Sequence, residues 1–361
     1  MATSHSWVDM AVNKLNADFN RSSDTHLLRL DIPGAPGIPL YLKDESIHPT
    51  GSLKHRLARS LFLYAICNGW VEEGTTVVEA SSGSTAVSEA YFARLLNLPF
   101  IAVIPKTTSQ KKIDQIKFYG GEVHLVNDGA AIYEESRRLA KETGGHFMDQ
   151  FTYAERVTDW RGNNNIADSI FEQMACEEHP IPSWIVCSAG TGGTSATIGR
   201  YTRYKSHNTF LCVVDPENSV FYDAFQNKDN TVTCSTNSQV EGIGRPRVEP
   251  SFIPSVIDDM IKVPDAGSYA ALRYLENVFG RKFGGSTGTN VYGALQIVAR
   301  MLANGEQGSV VTLICDPGER YYDTYYNDTW LENNGFDIQP HIEQLNHFHQ
   351  TGQWEDNVKQ G

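Results

Sequence analysis

Apolar and polar positions along the chain follow two alternating periods. From Leu53, apolar residues recur at four-residue steps (Leu53, Leu57, Leu61, Ala65), with Ala58 and Phe62 beside them. That spacing lays one apolar stripe along a helix, and Thr50 or Ser52 in the preceding Pro-Thr-Gly-Ser turn is a candidate N-cap. Short, unbroken runs rich in β-branched residues predict strands at 40–43, 75–80, 100–104, 122–126, 184–189, 210–214 and 310–315. Amphipathic stretches between them predict helices at 85–97, 109–119, 130–143, 164–177, 195–205, 267–279 and 287–304. Strands that read as continuous apolar runs, separated by helices, imply mostly parallel sheets covered on both faces, an α/β architecture. The pattern occurs once before about residue 150 and again after about 184. Two three-layer domains are therefore expected, 1–160 and 161–330, with 331–361 as a tail in which Ile338, Ile342 and Leu345 line one short docking helix.

Composition narrows the possibilities. A chain of 361 residues can bury two cores, and 40% hydrophobic with 20% charged residues is ordinary for a soluble protein. The net charge of -13 leaves no basic stripe to neutralise phosphates, which argues against a nucleic-acid partner and against an anionic membrane surface. The six cysteines form no CxxC pair, and Cys187, Cys212 and Cys315 lie inside apolar runs. Neither a disulfide framework nor a metal site is expected, and with no export signal in Met1–Ser6 the default address is the cytoplasm. Trp160 and Trp184 are read as packing residues, and His341, His347 and His349 as solvated tail residues.

Four loops carry the candidate chemistry. Lys54 falls in the first turn of its helix, where the helix dipole disfavours an ammonium group; a partly neutral lysine is what Schiff-base chemistry needs. Gly190-Thr191-Gly192-Gly193-Thr194 follows a strand and opens a helix, so backbone N–H groups, hydroxyls and the helix dipole converge where a phosphate would bind. It matches neither a Walker sequence nor the spaced dinucleotide fingerprint. Glu79-Ala80-Ser81-Ser82-Gly83-Ser84-Thr85, again between strand and helix, has hydroxyls and N–H groups that suit a carboxylate, with simple helix capping as the alternative. Gly284–Thr289 and Cys315–Arg320 occupy equivalent places. Ligands of open α/β sheets bind at the carboxyl edge of the strands, so the four loops are expected to face one crevice.

Taken in order, these motifs resemble the fold-type II pyridoxal-phosphate enzymes of the cysteine synthase/cystathionine β-synthase family, which share the tryptophan synthase β-like fold. The resemblance covers roughly residues 40–325. It implies that Lys54 carries the cofactor and is catalytic, that Gly190, Thr191, Gly192, Gly193 and Thr194 hold its phosphate, and that Gly242, in Glu241-Gly242-Ile243-Gly244, lies next to its ring. It also implies that Ser81, Ser82, Gly83, Ser84, Thr85 and Gln150 bind the substrate carboxylate.

The departures are informative. Ser84 replaces the family's loop asparagine, which bonds the cofactor's ring hydroxyl, so that bond is lost or water-mediated. His55 stands where an aspartate is usual, and Pro317 stands where a serine meets the pyridine nitrogen. Proline offers no side-chain donor or acceptor, which makes the adjacent Asp316 the candidate ring partner. With the long aromatic tail, these features look most like the L-cysteine desulfhydrase branch. The implied activity is β-elimination of L-cysteine to hydrogen sulfide, pyruvate and ammonia in a homodimer. The alternatives are β-replacement, as in cysteine synthase or cystathionine β-synthase, and a catalytically silent cofactor-binding regulator.

Overall fold

The computed structural model describes residues 2–21 and 24–355, with side chains from Ser6 onward except Ala130. The early part folds as α1 (Ala2–Asn20), β1 (His26–Leu30) and β2 (Leu40–Asp44). There follow α2 (Lys54–Cys67), β3 (Val77–Glu79), α3 (Ser84–Leu96), β4 (Phe100–Pro105), α4 (Gln110–Phe118), β5 (Glu122–Val126), α5 (Ile132–Thr143), β6 (His146–Phe147) and α6 (Gln150–Val157). The remainder comprises α7 (Ile166–Met174), β7 (Trp184–Ser188), α8 (Gly193–Tyr204), β8 (Phe210–Pro216), α9 (Phe221–Asn227) and β9 (Asp259–Val263). It ends with α10 (Asp265–Phe279), α11 (Gly285–Ala303), β10 (Val310–Ile314), α12 (Asp328–Asn333) and α13 (Gln339–Thr351).

Two compact units result. The first contains α1, Asp24 and residues 48–159; the second contains residues 25–47 and 160–355. The division therefore departs from the sequential one expected, because 25–47 belongs to the second unit. The cause is strand pairing: β2 runs parallel to β10 with Leu40 opposite Val310, and β1 closes that edge antiparallel to β2. A pairing across some 270 residues leaves no trace in the local period.

The first unit holds a parallel four-stranded sheet in the order β5-β4-β3-β6. Alternate residues of one strand serve opposite cores. Val77 and Ala102 join Phe62, Phe92 and Phe100 on one face, while Val78 and Val103 join Val126 and Ala140 on the other. Each fully buried valine or phenylalanine contributes about 1.5–3 kcal/mol, and burial on both faces is why these strands read as unbroken apolar runs. Trp7, Ala11 and Leu15 on α1 add to the same core at four-residue steps.

The second unit holds a six-stranded sheet in the order β1-β2-β10-β7-β8-β9, parallel except for β1. The expected docking helix is α13, whose Leu345 and Phe348 are fully buried within this unit. Residues 331–355 thus pack as part of the second unit, and 356–361 of the expected tail lie outside the described residues. The expectation of solvated histidines fails at His341. It is buried, its Nδ1 2.9 Å from the Tyr292 hydroxyl, and burial holds its pKa below the usual value. His349 is half-buried, with its Nδ1 2.9 Å from the Tyr274 hydroxyl. Among the described residues, no helix is long and apolar enough to cross a membrane.

Phe348→Ala is expected to destabilise the second unit by about 3 kcal/mol, the usual scale for truncating a fully buried aromatic side chain. Urea unfolding followed by far-UV circular dichroism measures this; an unchanged midpoint would mean that α13 does not contribute to the core.

Candidate active site

In the first unit the Pro49-Thr50-Gly51-Ser52 turn is locked before α2 begins. Gly51 N–H donates to His48 O at 2.7 Å, and Ser52 Oγ accepts from the Lys54 amide at 3.3 Å. Thr50 makes no cap. It is buried, with its hydroxyl 3.1 Å from His55 Nδ1 and 2.8 Å from Ser88 Oγ on α3. Lys54 is the first residue of α2 and is half-buried. His55, the departure from the family's aspartate, packs its ring 5.0 Å from His48 and 4.7 Å from Phe92. It is a core residue beside the lysine.

Ser81–Thr85 leaves the carboxyl end of β3 and enters α3 at Ser84. The helix has no side-chain cap, so the capping alternative does not describe this loop, and the dipole of α3 faces the serine-rich turn. Ser81 Oγ accepts from Gly83 N–H at 3.3 Å. Thr85 is buried and donates to Gln150 Oε1 at 2.7 Å. Gln150 arrives at this edge because β6 pairs with β3, and Asp149, at φ 49°, turns the chain into α6. The structure therefore brings Ser81–Thr85 and Gln150 together as one cluster. A residue assigned no role from the sequence completes it: Glu79 accepts from the Ala80 and Gln150 amides at 2.7 and 3.3 Å. Its acidic side chain at the end of an apolar strand was the available signal.

In the second unit Gly190–Thr194 joins β7 to α8, which begins at Gly193. Gly192 adopts φ +92°, and a Cβ there would lie 2.5 Å from Ser251 O. A Cβ on Gly190 would lie 2.2 Å from Gly242 O, so the Glu241–Gly244 loop lies directly against this turn, an approach the Gly244 N–H fixes by donating to Ala189 O at 2.9 Å. That loop is also held from the aromatic stretch near the chain's end: Glu241 N–H donates to the Tyr325 hydroxyl at 3.0 Å, and the hydroxyl donates to Gln239 O at 2.9 Å.

Asp316 follows β10, the sheet neighbour of β7. It is almost fully buried and accepts from the Tyr321 hydroxyl through Oδ2 at 2.7 Å, while Oδ1 has no partner. Burial pushes its pKa up to about 6 and the Tyr321 hydrogen bond opposes that shift, so the carboxyl is mainly ionised at neutral pH. Pro317 is turned into a bridge with Phe283. A buried, half-satisfied carboxylate calls for a cationic or N–H donor. Such a carboxylate, with a glycine turn whose backbone has no room for side chains at a helix N-terminus, fits a phosphorylated heteroaromatic cofactor.

Comparison with known proteins agrees with this geometry. Residues 21–316 match the family model described as pyridoxal-phosphate dependent enzyme. The chain is 59% identical over 355 residues to an L-cysteine desulfhydrase of Mycobacterium tuberculosis, covering 97% of this chain and 96% of that one. It is 28% identical to a cysteine synthase of Dictyostelium discoideum over 87% of this chain and 85% of the other. Among solved structures, an O-ureido-L-serine synthase superposes with a TM-score of 0.74 at 26% identity, covering 85% of this chain and 96% of that chain. The chain belongs to the pyridoxal-phosphate dependent enzymes, with pyridoxal phosphate as its cofactor.

Gly192→Ala is expected to weaken cofactor binding by at least about tenfold, or 1.4 kcal/mol, because the added methyl group displaces the turn. Fluorescence titration of the apoprotein with pyridoxal phosphate tests this. Gly162→Ala, where a Cβ meets nothing within 4 Å, serves as the control.

Proposed function

We propose that this chain is an L-cysteine desulfhydrase, converting L-cysteine and water to hydrogen sulfide, pyruvate and ammonia. The observation that carries the reading is the similarity, along nearly its full length, to the mycobacterial desulfhydrase. Lys54 would hold the cofactor covalently, Gly190–Thr194 its phosphate and Asp316 its ring nitrogen, with Gly242 and Ser84 next to the ring. When bound, the cofactor supplies an electron sink for the carbanion formed next to the substrate's amino group.

The chain's own groups do the rest. The hydroxyls and amides of Ser81–Thr85, with the Gln150 amide, bind the substrate α-carboxylate at the positive end of α3. Thr85 fixes the rotamer of Gln150 through its hydrogen bond. The Lys54 amine would take the substrate's α-proton, and the β-carbon–sulfur bond would break with sulfide as the leaving group. An ionised Asp316 favours a protonated ring nitrogen, which strengthens electron withdrawal. Family resemblance supports a homodimer, for which light scattering is the direct measurement. The buried thiols Cys187, Cys212 and Cys315 suit a reducing compartment such as the cytoplasm.

The test is to incubate the protein with pyridoxal phosphate and L-cysteine alone, measuring sulfide and pyruvate together, with D-cysteine and Lys54→Ala in parallel. Equal amounts of both products from L-cysteine, lost by at least about a thousandfold in the variant, are expected. Sulfide without pyruvate would indicate β-replacement. No turnover of L-cysteine, but cysteine formed from O-acetylserine and sulfide, would make the enzyme a synthase. Cofactor binding without either reaction would favour a silent regulator.

A further inference from the structure

The mechanism above does not use the two buried carboxyl groups beneath the serine loop. Glu79 ends β3 and Glu89 lies in the second turn of α3; both are fully enclosed. Glu79 spends its oxygens on two backbone amides, Ala80 where the serine loop starts and Gln150 where α6 starts. Gln150 in turn accepts from Thr85. One carboxyl group thus joins β3, the serine loop and the glutamine.

Glu89 acts on Glu79 directly from α3, yet neither of its oxygens makes an ordinary hydrogen bond. The charged group that acts on Glu89 is Glu79. Asp149, also negative, acts on Glu79 as well and lies 4.0 Å from the exposed Arg137. From α2, buried His55 is engaged by Thr50, which bonds to Ser88, the neighbour of Glu89; Tyr91 bonds to Asp18 of α1. Two interacting carboxylates in a dry interior, without a cation, cannot both be ionised. Burial pushes both carboxyl groups above the usual carboxylate range, and Glu79 raises Glu89 further. A protonated Glu89 can donate toward Glu79 and so favour the form of Glu79 that accepts two amides.

We propose that Glu79 and Glu89 form a proton-holding carboxyl dyad that positions Ser81–Thr85 and Gln150 for the substrate carboxylate, Glu89 as the neutral donor and Glu79 as the double acceptor. Neither group touches substrate; both are positioning residues. The proposal rests on the carboxylate-binding role assigned to that loop.

The folded state binds the Glu89 proton more tightly than the unfolded chain, where a glutamate titrates at about 4.3. Its stabilising contribution is complete below that pH and is lost as pH rises toward the folded value. A side chain that cannot ionise removes this loss.

The test compares Glu89→Gln and Glu89→Leu with the wild-type holoenzyme. Thermal midpoints are measured from pH 5 to 9, and kcat and KM for L-cysteine at neutral pH. Both variants are expected to lose less stability than wild type as pH rises. Glu89→Leu, which keeps the volume but not the donor, is expected to raise KM about tenfold with little change in kcat, and Glu89→Gln, which keeps an N–H, to restore most of that binding. Wild-type pH slopes in both variants would overturn the dyad. Equal KM values in the two would overturn its positioning role. If the wild-type enzyme does not turn over L-cysteine, the substrate reading has failed, and the stability slopes alone decide the dyad.

Discussion

A parallel sheet covered on both faces leaves polar groups one place to gather, the ends of its strands, and the rest of this structure depends on that constraint. In the first unit β3 and β4 send alternate side chains into two separate dry cores. A polar residue in mid-strand would cost stability in either one. Chemistry is displaced to the carboxyl edges, where Glu79, Ser81–Thr85 and Gln150 emerge from neighbouring strands. The same constraint in the second unit gathers Gly190–Thr194 and Asp316 at the ends of β7 and β10.

The polar groups that are buried are of two kinds. Some are fully answered: Lys43 in β2 donates to Thr25 O at 2.8 Å and to Gln173 Oε1 at 2.6 Å, and Thr25 donates to Glu45 at 2.6 Å. These are structural, since every donor finds an acceptor within the unit. Others are left incomplete: Asp316 has one oxygen without a partner, and Glu89 has two. An incomplete buried carboxyl is costly unless a proton or a ligand completes it. In the proposed function the completing group for Asp316 is the cofactor ring, and for Glu89 the proposed one is a retained proton.

The aromatic stretch after Arg320 ties the second unit's loops together. Tyr321, Tyr325 and Tyr326 bond to Asp316, the Glu241 loop and Phe283, and the rings of Tyr321, Tyr325 and Tyr269 stack 4.8 and 4.7 Å apart. Hydroxyls that reach out of such a stack are held by ring packing as well as by hydrogen bonds, which fixes the loops from two directions.

Local patterning alone determined most of the elements, because helix and buried-strand periods are properties of neighbouring residues. The seven strands, the helix at Lys54 and the seven helices expected between strands correspond to observed ones within a few residues, and the docking helix to α13. The short or weakly patterned β1, β6, β9, α1, α6, α9 and α12 were missed. The motifs around Lys54, Gly190–Thr194, Ser81–Thr85 and Asp316 were legible as well, since glycine turns and helix N-termini announce themselves in sequence. Three things only the tertiary structure decided. The membership of 25–47 in the second unit depends on pairing with a strand about 270 residues away. The burial of His341 depends on where α13 docks, and the carboxyl dyad on α3 bringing Glu89 to Glu79 at the end of β3. In each case the cause is a contact between residues that are far apart in sequence or separated by a turn, and periodicity records only what each residue's own neighbours require.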